Sequence, residues 1–220
     1  LEQQGGRKYA ADAAFGLANC AYNLGDDTAA IEAFERFIAA YPDDPRVSDA
    51  ELGVQSAYYR SGRDMGEYLA RNPDSAMAAD LLWNDGQDAF AKGDFAKASS
   101  SFERVTLDHP DSESAVQALY YLAESYYRLD QNEVALAGFR NFATTHPDHD
   151  LAELARFRAA TVLYRLERFG EAAREYEGLR DRFPDGEYAA LALFNGAVCY
   201  QQIEDWTAAI ATYQEFLSTH

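Results

Sequence analysis

The chain has 220 residues, of which 48% are hydrophobic and 14% aromatic, so it can bury a core and is not a disordered segment. It carries 19 basic against 37 acidic residues, and a net charge of −18 would repel phosphates, which excludes nucleic acid as the expected partner. No apolar run reaches the roughly 18 residues that a membrane-spanning helix needs, so we expect no transmembrane span.

A recurring Pro-Asp pair sets the organisation of the chain. The first interval between pairs is 31 residues, and the other three are 37 residues each. Self-similarity at a fixed period of this length is typical of stacked helical repeats. We therefore number each repeat from the Asp at position 1 to the proline at position 37. The pairs are Pro42-Asp43, Pro73-Asp74, Pro110-Asp111, Pro147-Asp148 and Pro184-Asp185.

Six repeats follow from these landmarks, and we predict that they form a single array over 1–220. Their approximate bounds are 6–42, 43–73, 74–110, 111–147, 148–184 and 185–220. The proline that would close the last repeat is due at position 221, one residue beyond His220. We therefore expect the chain to be a fragment of a longer array, because solenoids normally carry polar terminal caps.

Two amphipathic helices are predicted in each full repeat, because apolar residues recur at steps of three and four. Helix A is expected over about positions 3–18 and helix B up to about position 35, where proline ends it. The Asp at position 1 is expected to cap helix A. Position 25 is always alanine, which predicts a close helix crossing: Ala30, Ala98, Ala135, Ala172 and Ala209.

The second repeat, 43–73, is six residues shorter than the others. Its helix A is intact through Arg60, whereas its helix B is reduced to about Asp64–Arg71. One interpretation is a shortened helix that changes the local curvature of the array, and we favour it. The other is a seam between two sub-arrays that bends or carries a partner.

The repeat resembles the tetratricopeptide repeat. The residues that carry the resemblance in the fourth repeat are Leu119, Leu122, Ala123, Tyr126, Ala135, Phe139 and Pro147. The resemblance implies an all-α solenoid of about six helix-turn-helix units in a right-handed superhelix. The period is 37 rather than the usual 34 residues, and the extra residues should lengthen helix A by nearly a turn. This longer form is similar to repeats of bacterial cell-envelope proteins of the outer-membrane assembly lipoprotein and Tol–Pal coordinator types.

Catalytic chemistry has no support in the sequence, which contains no nucleophile elbow, HExxH, Walker or dinucleotide-binding motif. Three of the four histidines occupy position 36, where they recur because the turn before proline recurs: His109, His146 and His220. Cys20 and Cys199 both occupy position 15, where a cysteine packs as a small apolar residue. We therefore predict a protein that is not an enzyme, with no catalytic, cofactor-binding or metal-binding residues.

A binding surface is predicted on helix A, where positions 7, 10, 14, 17 and 18 share one face. We call this surface the helix-A face; in tetratricopeptide arrays it lines the concave groove. Aromatic residues dominate positions 10 and 17, and arginines accompany them at position 18. The rings could pack neighbouring helices together or contact a ligand, and both roles stay open. The predicted partner-binding residues are Phe15, Tyr22, Tyr59, Arg60, Trp83, Phe90, Tyr120, Tyr127, Arg128, Phe157, Tyr164, Arg165 and Phe194.

Three functions are compatible with these features. The first is a non-catalytic scaffold that binds an extended peptide or helix of a partner protein in the groove, within a bacterial envelope complex. The second is the recognition module of a larger enzyme or regulator, and the third is a self-assembling array that stacks end to end. We expect a periplasmic location, with the cytoplasm as the alternative, and any lipid anchor would lie outside this chain.

Overall fold

The chain folds into α-helices, as the sequence predicts, over the residues that the computed structural model describes, which are 2–63, 65–71 and 78–219. No helix in these ranges is long and apolar enough to cross a membrane. The described helices are α1 (Glu2–Leu24), α2 (Asp27–Ala40), α3 (Val47–Ser61), α4 (Met65–Arg71), α5 (Ala78–Ala91), α6 (Phe95–Asp108), α7 (Ala115–Arg128), α8 (Asn132–Thr145), α9 (Ala152–Arg165), α10 (Phe169–Arg182), α11 (Ala189–Gln202) and α12 (Trp206–Thr219).

The chain divides into two compact units, Leu1–Leu81 and Leu82–His220. In the first unit α1 packs against α2, and α2 packs against α3. In the second unit each helix from α6 to α12 packs against the next helix in the chain. Consecutive packed helix pairs, which are the arrangement expected of a helical solenoid, are therefore confirmed within each unit.

In the fourth to sixth repeats helix A starts later than expected, at position 5, whereas α1 of the first repeat has 23 residues. In the fourth repeat α7 covers positions 5–18 and α8 covers positions 22–35, so both helices have 14 residues. The prediction that the longer period lengthens helix A is therefore wrong for these repeats. The extra residues form two consecutive turns instead, in which Ser112 N–H donates to the His109 carbonyl at 3.1 Å and Ala115 N–H donates to the Ser112 carbonyl at 3.1 Å.

Aspartate caps helix B rather than helix A. The Asp94 carboxylate accepts from the Lys97 N–H at 3.1 Å, and Asp26 plays the same part at the start of α2. The N-cap residues of α7 and α9 are Ser114 and Leu151, whose side chains accept no capping hydrogen bond. The prediction that the Asp after proline caps helix A is wrong, because the two turns place that Asp several residues before the helix begins.

The core follows the predicted columns. The alanines at position 25 are fully buried or nearly so, and an aromatic ring at position 29 lies one turn further along helix B. Phe102 and Phe139 are completely buried there. Burying such a ring stabilises the fold by about 1.5–3 kcal/mol relative to leaving it exposed. The buried position-25 residues are Ala30, Ala98, Ala135, Ala172 and Ala209.

The shortened helix B of the second repeat is α4, which has seven residues instead of 14. Its Tyr68 is buried and its ring lies 5.8 Å from the ring of Tyr58 in α3. Asp64 and the Pro73-Asp74 pair lie outside the described residues. Whether this repeat acts as a hinge stays an open prediction.

Candidate functional site

The aromatic residues at position 10 mainly hold helix A against its own helix B. Tyr120 is 4% exposed and its ring lies 5.6 Å from Phe139 and 5.8 Å from Phe142. Phe157 is 8% exposed and packs on Tyr176 at 5.6 Å. The remaining predicted site residues at this position make equivalent contacts with helix B: Phe15 with Phe34 and Phe37, Trp83 with Phe102, and Phe194 with Tyr213 and Phe216.

The aromatic residues at position 17 keep more of their surface in solvent. Tyr59 is 50% exposed and Tyr164 is 38% exposed, whereas Tyr22, Phe90 and Tyr127 are half-buried. A partly exposed ring can contact a partner without prior rearrangement of the helices. Of the two predicted rows of rings, the structure therefore leaves the one at position 17 more accessible.

The three predicted arginines each lie on the position-17 ring of the preceding repeat. The guanidinium carbon of Arg60 is 4.2 Å from the centre of the Tyr22 ring. Arg165 lies 5.1 Å from the centre of the Tyr127 ring, and Arg128 lies 5.8 Å from that of Phe90. Each such cation–π contact contributes about 0.5–1 kcal/mol at an exposed site. The arginines therefore link consecutive repeats.

Arg60 and Arg165 also pair with carboxylates. Arg60 donates to Asp27 at 2.6 Å and to the backbone carbonyl of Tyr22 at 2.7 Å. The hydrogen bond that Arg60 donates to Asp27 raises the pKa of the Arg60 guanidinium above its ordinary value. Arg165 forms an ion pair with Asp130 of the preceding repeat. The structure thus gives these arginines a packing role between repeats.

A buried charge cluster on the same face was not predicted. Glu124, at position 14 of α7, is 3% exposed and lies 3.0 Å from Arg128 and 3.1 Å from Arg158. Burial raises the pKa of the adjacent Tyr120 hydroxyl, and the Glu124 charge raises it further. Position 14 is otherwise uncharged, so the isolated Glu124 was a usable signal. Its link to Arg158 required knowing which positions of adjacent repeats meet.

The turn residues make structural contacts. The rings of His146 and His149 each lie 5.4 Å from the Phe142 ring, and His149 accepts a hydrogen bond from the Leu151 N–H. His220 lies outside the described residues. Within the described ranges, no group of three or more histidine, cysteine or acidic residues is placed to hold a metal ion.

Protein-family models for the tetratricopeptide repeat match residues 12–44 and 157–219. The chain carries tetratricopeptide repeats. A further model, YfiO, described as an outer membrane lipoprotein, matches residues 75–168 between those two segments. The resemblance read from the sequence is therefore confirmed. No curated protein sequence matches the chain significantly.

Solved structures of MamA share the tetratricopeptide fold of this chain. One MamA crystal structure is 13% identical, covers 94% of this chain and 90% of MamA, and superposes with a TM-score of 0.55. Another is 14% identical, with coverage of 92% and 93% and a TM-score of 0.55. The MamA RS-1 ArsTM double mutant is 18% identical, covers 64% and 74%, and gives a TM-score of 0.54. At these identities the likeness concerns the fold alone.

Tetratricopeptide repeats are protein-interaction modules and are generally non-catalytic, and the chain is a scaffold of this general class. The helix-A face of the tetratricopeptide array is thus the candidate site. It combines a row at position 10 that ranges from the buried Tyr120 to Phe194, which is 41% exposed, a row of partly exposed rings at position 17, and arginines that join the repeats.

Proposed function

We propose that this chain is a non-catalytic scaffold that binds an extended peptide or a helix of a partner protein along its helix-A face. The observation that carries the proposal is the row of partly exposed rings at position 17, which recurs from repeat to repeat in a tetratricopeptide chain. Tyrosine rings supply a large contact area and freeze few torsions on binding, which suits them to interaction surfaces.

The most exposed members of the row are Tyr59 in the first unit and Tyr164 in the second, and each is the proposed contact residue of its own unit. Tyr120 and Phe157 support the face from below, since they are almost completely buried. The arginines stabilise the surface by joining repeats and contribute to binding indirectly.

We also propose a bacterial envelope location for this scaffold. The support is the match of residues 75–168 to the outer membrane lipoprotein model. Fractionation of cells that produce the full-length protein with an epitope tag tests this point. We expect the tag in the envelope fraction, and recovery from the cytoplasm alone would contradict the location without affecting the scaffold proposal.

A comparison of surface variants tests partner binding. The chain, immobilised as wild type, retains proteins from an envelope extract, and the Tyr59→Ser/Tyr164→Ser double variant should release them. The matched control is Leu107→Ser on α6, since Leu107 is 70% exposed but lies on a helix B. Charge reversal of the arginines is a poorer test, because it would break contacts between repeats.

The expected result is that Leu107→Ser retains the same proteins as wild type and that the double variant loses them. Circular dichroism should show equal helix content for all three proteins, because the changed side chains are exposed. If the double variant retains every protein that the wild type retains, the helix-A face is not the binding surface and the proposal fails.

A further inference from the structure

A cation-binding seat lies between the fourth and fifth repeats and is filled from within the chain. The seat is formed by the Tyr127 ring at position 17 and the Asp130 carboxylate at position 20. Arg165, at position 18 of the next repeat, lies 5.1 Å from the centre of the Tyr127 ring and pairs with Asp130. The backbone of Asp130 is left-handed, with φ of 60°.

An aromatic ring at position 17 and a carboxylate at position 20 recur one repeat later, in Tyr164 and Glu167. Glu167 has φ of 58°, so its backbone has the same left-handed conformation as that of Asp130. The Tyr164 ring packs edge-on against Phe169 at 5.1 Å, which holds the ring in place. The fifth repeat therefore presents an aromatic face and a carboxylate in the arrangement that binds a guanidinium in the fourth.

Among the residues that the structure describes, no arginine lies over the Tyr164 ring or pairs with Glu167. The residue that corresponds to Arg165 in the next repeat is Gln202, which is neutral and is the last residue of α11. Tyr164 is consequently 38% exposed. The Glu167 carboxylate is exposed and forms no hydrogen bond or ion pair in the part of the chain that the structure describes.

We propose that Tyr164 and Glu167 bind an arginine side chain of the partner protein. The proposal rests on the proposed function and specifies the partner chemistry at one point of the helix-A face. The occupant is arginine because a planar guanidinium can stack on a ring and pair with a carboxylate at the same time, as Arg165 does. The net charge of −18 attracts a basic partner to the protein.

The test uses N-acetyl-arginine methylamide as the probe, with the neutral citrulline analogue as its control. The tyrosine rings are labelled with ¹³C and followed by NMR, and the Tyr164 signal is assigned by its loss in Tyr164→Phe. Tyr127 serves as an internal control, because Arg165 already fills its seat. Two variants change which ring has an arginine. Gln202→Arg supplies an arginine to the seat at Tyr164, and Arg165→Gln removes the arginine from the seat at Tyr127.

We expect the arginine probe to shift the Tyr164 signal saturably and to leave the Tyr127 signal unchanged. Glu167→Gln should weaken the response about threefold, as expected for the loss of one exposed ion pair. Gln202→Arg should abolish the response at Tyr164, and Arg165→Gln should create one at Tyr127. The proposal is overturned if Tyr164 does not respond, if it responds equally to the citrulline probe, or if Gln202→Arg leaves the response unchanged.

The proposed arginine seat and the proposed scaffold function can be contradicted independently of each other. The probe is a small molecule whose binding depends only on Tyr164, Glu167 and Gln202, and it requires no partner protein. A normal probe response together with unchanged partner retention in Tyr59→Ser/Tyr164→Ser would contradict the scaffold face and leave the seat intact. An absent response together with lost retention would contradict the seat and leave the face intact.

Discussion

The repeat pattern and the structure predict opposite effects for the substitution Gly86→Ala. Gly86 occupies position 13 of α5, where four other repeats have alanine: Ala18, Ala123, Ala160 and Ala197. By the repeat pattern the change is harmless, and helix propensity alone favours it by about 1 kcal/mol. In the structure, however, an added Cβ would lie 2.6 Å from the Phe102 ring, which is well inside contact distance.

The Phe102 ring has little room to move away from a Cβ added at Gly86. It is completely buried, and its centre lies 5.4 Å from Trp83 and 5.7 Å from Tyr121. Overpacking of this kind costs about 1–3 kcal/mol, and the gain in helix propensity offsets about 1 kcal/mol of it. We therefore expect Gly86→Ala to destabilise the protein by about 1 kcal/mol.

Gly196→Ala is the matched control, because Gly196 lies in the middle of helix α11 and its added Cβ would be 3.7 Å from Tyr176, an ordinary contact. It should stabilise the protein by about 0.5–1 kcal/mol. Thermal unfolding followed by circular dichroism should give a lower midpoint for Gly86→Ala and a higher one for Gly196→Ala, separated by about 4–8 °C.

Phe102→Leu provides a second check through a double-mutant cycle. A smaller side chain at this site makes room for the new methyl group, so Gly86→Ala should become neutral or stabilising in that background. The reasoning is refuted if Gly86→Ala is as stable as wild type, or if its effect is the same with and without the Phe102 ring.

Three further results are expected. Ala172→Leu should destabilise by about 1–3 kcal/mol in urea unfolding, because Ala172 is completely buried at the helix crossing, and an unchanged midpoint would mean that the crossing is misplaced. Cys20 is exposed, so the packing role expected at position 15 is wrong for it, and it should react with a thiol reagent at pH 8 in the native protein. Cys199 is buried with its pKa raised to about 11 and should react only after unfolding. Hydrogen bonds from Arg46 lower the pKa of Asp44 to about 2, so NMR titration should find a midpoint near 2, and Arg46→Gln should return it to about 4.

The signs of the two pKa effects are opposite. The Asp44 pKa is lower in the folded protein, so its contribution to stability is present above about pH 4 and is lost as the pH falls towards 2. The Cys199 pKa is higher in the folded protein, so its contribution is complete below the pKa of an unfolded thiol, about 8.5, and declines as the pH rises towards 11. A midpoint near 4 for native Asp44, or rapid labelling of native Cys199, would contradict these assignments.

Much of the fold could be predicted because the repeat offers the same evidence several times. Ala135 and Phe139 recur in register with residues 37 positions away, so chance patterns are averaged out. The helix starts were predicted less well. Proline and aspartate are good local signals for a turn, but the hydrogen bonds of Ser112 and Ala115 decide that the interval contains two turns.

The candidate site was predictable as a set of positions but not as a set of contacts. Position 18 predicted Arg60, Arg128 and Arg165 on the helix-A face, and in the structure each of them lies over a position-17 ring. Their stacking on rings of the preceding repeat depends on the offset between adjacent helices A, which the spacing within a repeat does not specify. For the same reason the pairing of Glu124 with Arg158 was not found.

The sequence by itself determined the secondary structure class, the repeat and the buried columns, because these depend on local periodicity and on residues that end helices. Only the tertiary structure decided which residues of neighbouring repeats meet. It places Phe102 where it conflicts with a methyl group at Gly86, and among the described residues it gives an arginine to Tyr127 and none to Tyr164. The physical reason is that such contacts depend on the packing offset between helices, and a shift of a few ångströms would change every partner.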